Sequence, residues 1–357
     1  MRKPRAHSLF TPRRRRPIGC LTVFLLFIAA VLMTLTLNGL SNRYVRLETR
    51  PVTILKLPRA LEGFKILHIS DLHAANLGPA QENLKSALGS EGYDAVALTG
   101  DMVGKSGNVT PLLDLLALVA QDIPVFLVAG DDDPAPLEMA PHSSSDVKAA
   151  YVRMAEAAGA IYLDAPYPHE ADGETIWFCP GNMFFYDLPN ARSSLKERID
   201  ALKALDNPYL PEAGAELRYQ EYQLDKVEET MAALEEMTEE DIIIALSHVP
   251  PGTEALGELS VLSREQGLIK PSLFLAGQFN KGQARVPGLG PLYIPRQADG
   301  SGGFLPGDEG FAGLSIVKGF PMHISPGLGV SGYYPIPLRL FNMPGITILE
   351  LTSKMTR

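Results

Sequence analysis

The sequence predicts an α/β fold, in which β-strands and α-helices alternate along the chain. Two observations lead to this prediction. Short apolar runs alternate with helical patterns after an apolar segment near the start of the chain. Several of these apolar runs also end directly in a small group of Asp, His, Asn, Gln or Gly residues. Because ligand sites of such sheets lie at the carboxyl ends of the strands, we expect the polar groups to form a site there.

The start of the chain has the composition of a membrane anchor. No charged residue occurs over 17–42, and the apolar run 18–40 exceeds the roughly 20 residues that a bilayer core requires. It is longer than a typical signal-peptide core and lacks an evident cleavage site, although a cleaved signal remains the alternative. Residues 1–17 carry no acid and seven basic residues, which are Arg2, Lys3, Arg5, Arg13, Arg14, Arg15 and Arg16.

These features predict a single-pass membrane protein with three parts. They are a basic head at 1–17, a transmembrane helix at 18–40 and an outer domain at 44–357. Since basic flanks remain in the cytoplasm, the outer domain is predicted to lie outside it, with the membrane as partner of the helix.

The charge and cysteine content exclude some classes of protein. Without the seven basic residues of the head, 25 basic residues stand against 41 acidic ones, a net charge of −16 that repels nucleic acid. The two cysteines are Cys20 and Cys179, so the outer domain has no intramolecular disulfide and relies on its apolar core.

The first strands and helices follow from apolar periodicity. Alternation over 43–57 predicts an extended strand that opens the sheet. The apolar runs 64–69, Ala95–Thr99 and Val125–Val128 predict buried strands. The intervening helical patterns are at 81–88, 111–119 and 146–157.

Beyond about residue 160 the alternation of predicted strands and helices is less regular, and it becomes regular again toward 241–275. The predicted strands are 161–163, 175–178, 241–246 and 272–275, and the predicted helices are 194–205, about 219–237 and 254–266. We expect a helical insertion around 190–240. The Gly- and Pro-rich stretch 296–310 has the composition of a loop.

Five short blocks follow predicted strands and carry the functional signal. In order and spacing they resemble the calcineurin-like metallophosphoesterase family, whose pattern is D-x-H, G-D, G-N-H-[DE], [GS]-H and G-H-x-H. The first, second and fourth blocks match, whereas the third and fifth depart from it. The blocks are Ser70-Asp71-Leu72-His73, Gly100-Asp101, Gly130-Asp131-Asp132-Asp133, Ser247-His248 and Gly277-Gln278-Phe279-Asn280.

The resemblance is to membrane-anchored bacterial members and extends over roughly 61–351, with 160–240 the weakest part. It implies an αββα sandwich of two mixed β-sheets flanked by helices, with the site at the strand ends. In the family, two metal ions bind a phosphoester and a bridging hydroxide attacks phosphorus.

The resemblance also implies a role for each matching residue. Asp101 would bridge the two metals, Asp71 and His73 would bind the first, and His248 would bind the second. Asp131 replaces an asparagine ligand and can still bind a metal through oxygen.

The departures change the chemistry that the site can perform. Asp132 replaces the catalytic histidine and is not expected to act as an acid, and as a carboxylate it would repel a phosphate. Gln278 and Asn280 replace two imidazole ligands, one expected on each metal. Oxygen ligands favour Mn²⁺, Mg²⁺ or Ca²⁺ over Zn²⁺. Lys105 and Lys281 flank two blocks and are candidates to offset charge or contact phosphate.

Two functions are therefore predicted. The first is a membrane-anchored metallophosphoesterase with weakened activity on phosphoesters, either small molecules or lipid- and envelope-linked head groups. The alternative is a catalytically inactive relative that acts as an extracytoplasmic binding or assembly protein. Neither hypothesis includes a nucleic-acid partner.

Overall fold

The computed structural model describes residues 19–119, 122–139, 146–205, 210–297 and 300–354, in two units, Met1–Ser41 and Asn42–Arg357. In the first unit, helix α1 (Cys20–Ser41) has a mean hydropathy of 2.6 and no buried residue. Its 22 residues extend about 33 Å, enough to cross a bilayer core. A membrane span and a signal sequence both fit this helix. The predicted basic head at 1–17 lies outside the described residues.

The second unit contains sixteen strands and six α-helices within the described residues. The strands are β1 (Arg46–Thr53), β2 (Lys65–Ile69), β3 (Ala95–Thr99), β4 (Val125–Val128), β5 (Ala160–Tyr162), β6 (Tyr167–Ala171), β7 (Glu174–Pro180), β8 (Ile242–Leu246), β9 (Leu273–Ala276), β10 (Arg285–Val286), β11 (Gly290–Pro291), β12 (Tyr293–Ile294), β13 (Gly303–Phe304), β14 (Gly313–Val317), β15 (Phe320–Ile324) and β16 (Gly345–Thr352). The helices are α2 (Glu82–Leu88), α3 (Thr110–Val119), α4 (Ala150–Ala157), α5 (Leu188–Lys203), α6 (Pro211–Glu236) and α7 (Thr253–Gln266).

The first sheet has six strands in the order β1-β16-β2-β3-β4-β5. Strands β2 to β5 run parallel, while β16 is antiparallel to β2 and parallel to β1. The parallel strands β2, β3 and β4 are continuous apolar runs because both faces of the sheet are covered. Their carboxyl ends therefore lie at one edge, followed by the first three polar blocks.

The second sheet has six strands in the order β14-β15-β9-β8-β7-β6. Its four central strands, β15, β9, β8 and β7, are parallel, and an antiparallel strand closes each side. The fourth and fifth polar blocks follow β8 and β9.

The two sheets pack face to face around a shared apolar core. Phe126 of β4 stacks on Phe178 of β7 with ring centroids 4.0 Å apart. Side chains from both sheets, such as Ile66 and Ile244, complete this layer. Helices α2, α3 and α4 cover the outer face of the first sheet, and α6 and α7 cover that of the second. The predicted αββα sandwich of two mixed sheets is confirmed.

Some helix boundaries differ from those predicted. Helix α4 begins at Ala150 rather than 146 because the backbone before it pairs with residues 136–138 in a short antiparallel bridge. Helix α5 begins earlier than 194 because the Asp187 carboxylate caps it by accepting from Asn190 N at 3.0 Å. Helix α6 starts at Pro211, a residue suited to a first turn. Helices α5 and α6 occupy the stretch for which an insertion is predicted.

Candidate metal centre

The first two loops of the site are joined by backbone hydrogen bonds. Asp71 N donates to Gly100 O at 3.0 Å, and His73 N donates to Asp101 O at 2.7 Å. Asp71, His73 and Asp101 all have left-handed backbone conformations, with φ of 53°, 47° and 54°. Such conformations are costly for residues other than glycine and persist where the surroundings hold them. The hydrogen bonds between the two loops thus keep the side chains of Asp71, His73 and Asp101 close together.

The third loop is attached to the second by the carboxylate of Asp133. It accepts hydrogen bonds from the backbone N–H groups of residues 102–104 and of Gly130, at 2.8–3.2 Å. A Cβ at Gly130 would lie 2.0 Å from Oδ1 of Asp101, so only glycine permits this approach. No role was predicted for Asp133, although it matches the final acid of the third family block.

The His248 half-site consists of Asp101, Asp131 and His248, whose candidate ligand atoms all lie within 4.8 Å of one another. His248 Nε2 lies 3.2 Å from Asp101 Oδ2 and 3.0 Å from Asp131 Oδ1. His248 Nδ1 lies 2.8 Å from the carbonyl oxygen of Thr99, which can only accept. The proton of the neutral ring is therefore on Nδ1, and the lone pair of Nε2 points toward the two carboxylates.

The electrostatics of the His248 half-site favour a cation. Burial lowers the pKa of His248, but hydrogen bonds to Asp101 and Asp131 outweigh this effect and raise it well above its ordinary value. The hydrogen bond from His248 lowers the pKa of Asp131. The half-site thus attracts positive charge, carried either by a proton on His248 or by a metal ion among the three side chains.

Gln278 borders this half-site with an unpaired oxygen. Its Nε2 donates to Asp131 Oδ2 at 3.3 Å. Its Oε1 is buried and has no hydrogen-bond partner among the described residues. Buried polar atoms normally have a partner. This amide oxygen, together with the nitrogen of His248 that lies between two carboxylates, fits a divalent cation.

The His73 half-site consists of Asp71, His73 and Asp101, and it shares Asp101 with the His248 half-site. His73 Nε2 lies 3.9 Å from Asp71 Oδ1 and 3.6 Å from Asp101 Oδ2. Burial raises the pKa of Asp71, which is fully enclosed.

Asn280 presents a donor to this half-site. Its Nδ2 donates to Asp71 Oδ1 at 3.3 Å and lies 3.3 Å from His73 Nε2. Its Oδ1 accepts from Arg339 Nη1 at 3.2 Å. An amide nitrogen is not a metal ligand, so the residues of this half-site do not fit a second cation.

Arg339 is a buried cation that sequence analysis missed, since it falls in the tail outside all five blocks. Only 3% of it is exposed, and it donates to the carbonyl oxygens of Gly329, Pro326 and Asn342 at 2.9–3.1 Å. Burial lowers its pKa to about 10, and the charge of Asp71 acts in the opposite direction. The guanidinium therefore remains charged at neutral pH.

Asp132 lies beside the two half-sites but pairs with other groups. Its backbone N–H donates to Asp101 Oδ1 at 2.8 Å, and its Oδ2 accepts from Ser331 Oγ at 2.9 Å. Lys105 Nζ lies 3.1 Å from Asp132 Oδ1 and 4.0 Å from the ring centroid of Tyr333. Interaction with Asp132 raises the pKa of Lys105. The expected repulsion of phosphate by Asp132 is thus offset by a neighbouring ammonium.

Lys281, the second candidate lysine, has a different environment. Burial lowers its pKa, and the charged groups that act on it are Arg285, Glu48, Arg46 and Asp308 rather than the aspartates of the two half-sites.

The structure brings together all five predicted metal ligands, with Gln278 at one half-site and Asn280 at the other. The fold is therefore a two-sheet α/β sandwich, and the carboxylate and imidazole side chains at its strand ends form a candidate metal centre. The family model for calcineurin-like phosphoesterases matches residues 64–268, more than half of the chain. The protein belongs to the calcineurin-like phosphoesterase family, which is metal-dependent. The fifth block lies beyond the matched residues.

Among solved structures, the chain is similar to the crystal structure of a phosphopantetheinyl hydrolase from Mycobacterium tuberculosis, with 13% sequence identity and a TM-score of 0.37. The similarity covers 74% of this chain and 89% of that chain. No curated protein matches the sequence.

Proposed function

We propose that this protein is a membrane-anchored, metal-dependent phosphoesterase that acts outside the cytoplasm with weakened activity. The observation that carries the proposal is the convergence of His248 Nε2 with the carboxylates of Asp101 and Asp131. This convergence occurs on the scaffold of a phosphoesterase family, at the edge where the strands of both sheets end.

The metal of this proposal is held by Asp101, Asp131 and His248, with the amide of Gln278 beside them. A divalent cation bound there would supply Lewis-acid stabilisation of a phosphoryl oxygen. Because this set offers one imidazole nitrogen and otherwise oxygen atoms, it favours Mn²⁺, Mg²⁺ or Ca²⁺ over Zn²⁺.

Lys105 and Asp132 are the charged side chains near the metal ligands that would act on a bound phosphoester. Lys105 is 62% exposed in its side chain, so its ammonium can reach a bound phosphate, while Asp132 orients it from the buried side. This arrangement binds negative charge but supplies no strong acid for the leaving group. Loss of a general acid lowers rates by about 10²–10⁴-fold, which is the reason for proposing weakened activity.

The anchor and the charge of the outer domain limit the substrates. The apolar helix Cys20–Ser41 supports attachment to a membrane, and the basic residues that precede it in sequence support a cytoplasmic head. A substrate near the membrane surface, such as a lipid head group or a small phosphoester, suits this location. The acidic outer domain disfavours nucleic acid.

The test uses the full-length chain in detergent with bis-p-nitrophenyl phosphate and Mn²⁺, Mg²⁺, Ca²⁺ or Zn²⁺. We expect slow turnover that requires a metal and is abolished by Asp101→Asn. Asp172→Asn, in the turn between β6 and β7, is the matched control and should retain turnover. Absence of metal-dependent turnover above the Asp101→Asn background would contradict the proposal.

Orientation is tested separately by reporter fusions. An alkaline phosphatase fused after Arg357 should be active in cells, since that enzyme requires an oxidising compartment outside the cytoplasm. A fluorescent protein that folds only in the cytoplasm should remain dark at the same position. The reverse pattern would contradict the proposed topology.

A non-catalytic binding protein is the second candidate function, and two observations favour it. The amide of Asn280 faces Asp71 and His73, and Asp132 stands where the family has its catalytic histidine. Metal binding without turnover in the assay above would support this candidate.

A further inference from the structure

The orientation of the Asn280 amide is determined by its neighbour. A guanidinium has only donors, so the atom that faces Arg339 Nη1 at 3.2 Å must be the amide oxygen. The amide NH₂ group then faces Asp71 Oδ1 and His73 Nε2, which can both accept. A rotated amide would place its donors against those of Arg339 and its oxygen against the Asp71 carboxylate.

Packing prevents Asn280 from turning away. The residue has no exposed surface, and its backbone oxygen accepts from Asn342 Nδ2 at 2.9 Å. The tail segment lies directly against it, because a Cβ at Gly327 would lie 2.7 Å from Asn280 Oδ1. Arg339 is fixed in turn by three backbone carbonyl oxygens. The side chain therefore keeps one orientation.

We propose that the Asn280 amide, oriented by Arg339, takes the place of a metal ion in the His73 half-site, so that the protein binds a single divalent cation, in the His248 half-site. The proposal rests on the metal centre of the proposed function but not on hydrolysis. A cation beside Asp71 and His73 would have to displace the NH₂ group, leaving a buried donor without an acceptor.

The amide of Gln278 is not fixed in this way. It too stands where the family has an imidazole, and its NH₂ group donates to Asp131 Oδ2 at 3.3 Å. No cation fixes its oxygen, however, which has no partner among the described residues, so the amide is free to present its oxygen to a metal. The His248 half-site therefore keeps its acceptors available for a metal. Asn280 and Gln278 are two residues apart, so the difference arises from Arg339 rather than from the loop that carries both amides.

The experiment measures how many Mn²⁺ ions the full-length protein binds in detergent. Equilibrium dialysis with elemental analysis gives the stoichiometry, and the electron paramagnetic resonance spectrum distinguishes an isolated ion from a spin-coupled pair. We expect one Mn²⁺ per chain with the spectrum of an isolated ion. Asn280→Asp, which replaces the NH₂ group by an oxygen, should bind two with a coupled spectrum. Thermal unfolding with and without Mn²⁺ verifies that each variant is folded.

Gln278→Glu is the matched control, because it makes the same amide-to-carboxylate change at the other half-site. It should bind one Mn²⁺ more tightly, with no coupled spectrum. Two Mn²⁺ ions per wild-type chain would overturn this inference and leave the proposed function intact. One ion without turnover would support the inference and remove the proposed catalysis. No metal in wild type and in Asn280→Asp alike would overturn both.

Discussion

The two half-sites share Asp101 but differ in how their amides are held. In the His248 half-site the buried oxygen of Gln278 has no partner among the described residues, and Nε2 of His248 lies between two carboxylates. In the His73 half-site the central group is a donor, the NH₂ of Asn280. The family pattern has an imidazole at both positions, whereas in this chain the two amides that replace them have different surroundings. The difference depends on one buried arginine, because Arg339 fixes which end of an amide faces the aspartates.

This asymmetry shows that a ligand position cannot be assessed from its residue type alone. Asparagine and glutamine both carry an oxygen that binds hard cations and a nitrogen that does not. Which atom is presented depends on the hydrogen-bonding groups behind the side chain. Metal ligands elsewhere are oriented by outer partners in the same way.

Removal of Arg339 is the strongest way to disrupt the His73 half-site. Arg339→Met should lower the free energy of unfolding by about 3 kcal/mol or more, since it leaves Asn280 Oδ1 and three buried carbonyl oxygens without their donor. Denaturant unfolding of the full chain in detergent measures this loss.

The matched control for this variant is an exposed arginine. Arg264 is exposed and, within the described residues, donates to Ser260 O on the surface of α7, so Arg264→Met should stay within about 0.5 kcal/mol of wild type. Equal stabilities of the two variants would show that Arg339 does not hold the His73 half-site together.

The two histidines provide a direct comparison of the half-sites. His248→Gln should weaken Mn²⁺ binding by about 100-fold or more, because it removes the imidazole ligand of the single predicted metal. His73→Gln should change the affinity by about threefold or less, since this ring contacts Asn280 rather than a cation. Isothermal titration calorimetry with Mn²⁺ measures both affinities. Similar losses in the two variants would indicate a metal in each half-site.

The alternating apolar pattern was sufficient to predict an α/β fold, and the family resemblance added the sandwich and the residues that meet at its edge. Apolar runs such as Ala95–Thr99 are buried strands, and they deliver Asp101 to the position that the family pattern implies. These predictions succeed because a strand and the residue after it are local in sequence. The roles of the predicted ligands remain predictions.

The sequence was not sufficient to predict the difference between the half-sites. Asn280 meets Arg339 across 59 residues of chain, and nothing in the tail marks that arginine as a partner. The pairing of Asp132 with Lys105 and Ser331 likewise depends on how separate loops pack. Hydrogen-bond direction inside a buried cluster is a tertiary property, so residue types and spacing do not reveal it.

Restoring an imidazole at Gln278 should alter the metal preference of the His248 half-site. Gln278→His places a second nitrogen ligand beside His248, so Zn²⁺ should bind about tenfold more tightly while Mn²⁺ affinity changes less. Competition titration with a zinc-sensitive dye measures the change. Gln266→His, on the exposed end of α7, is the control and should leave zinc affinity at this centre unchanged. An unchanged zinc affinity in Gln278→His would place residue 278 outside the metal centre.

A modest effect is expected at Lys105, whose ammonium lies 3.1 Å from Asp132 Oδ1. Lys105→Gln should weaken binding of inorganic phosphate to the Mn²⁺-loaded protein by about fivefold, because it removes an exposed cation and leaves the Asp132 carboxylate unbalanced. The difference should diminish in high salt, which screens exposed charges. Calorimetric titration with phosphate measures it, with Lys85→Gln on α2 as control. If Lys105→Gln binds phosphate as well as wild type, the ammonium serves only to neutralise Asp132, and the metal alone attracts the anion.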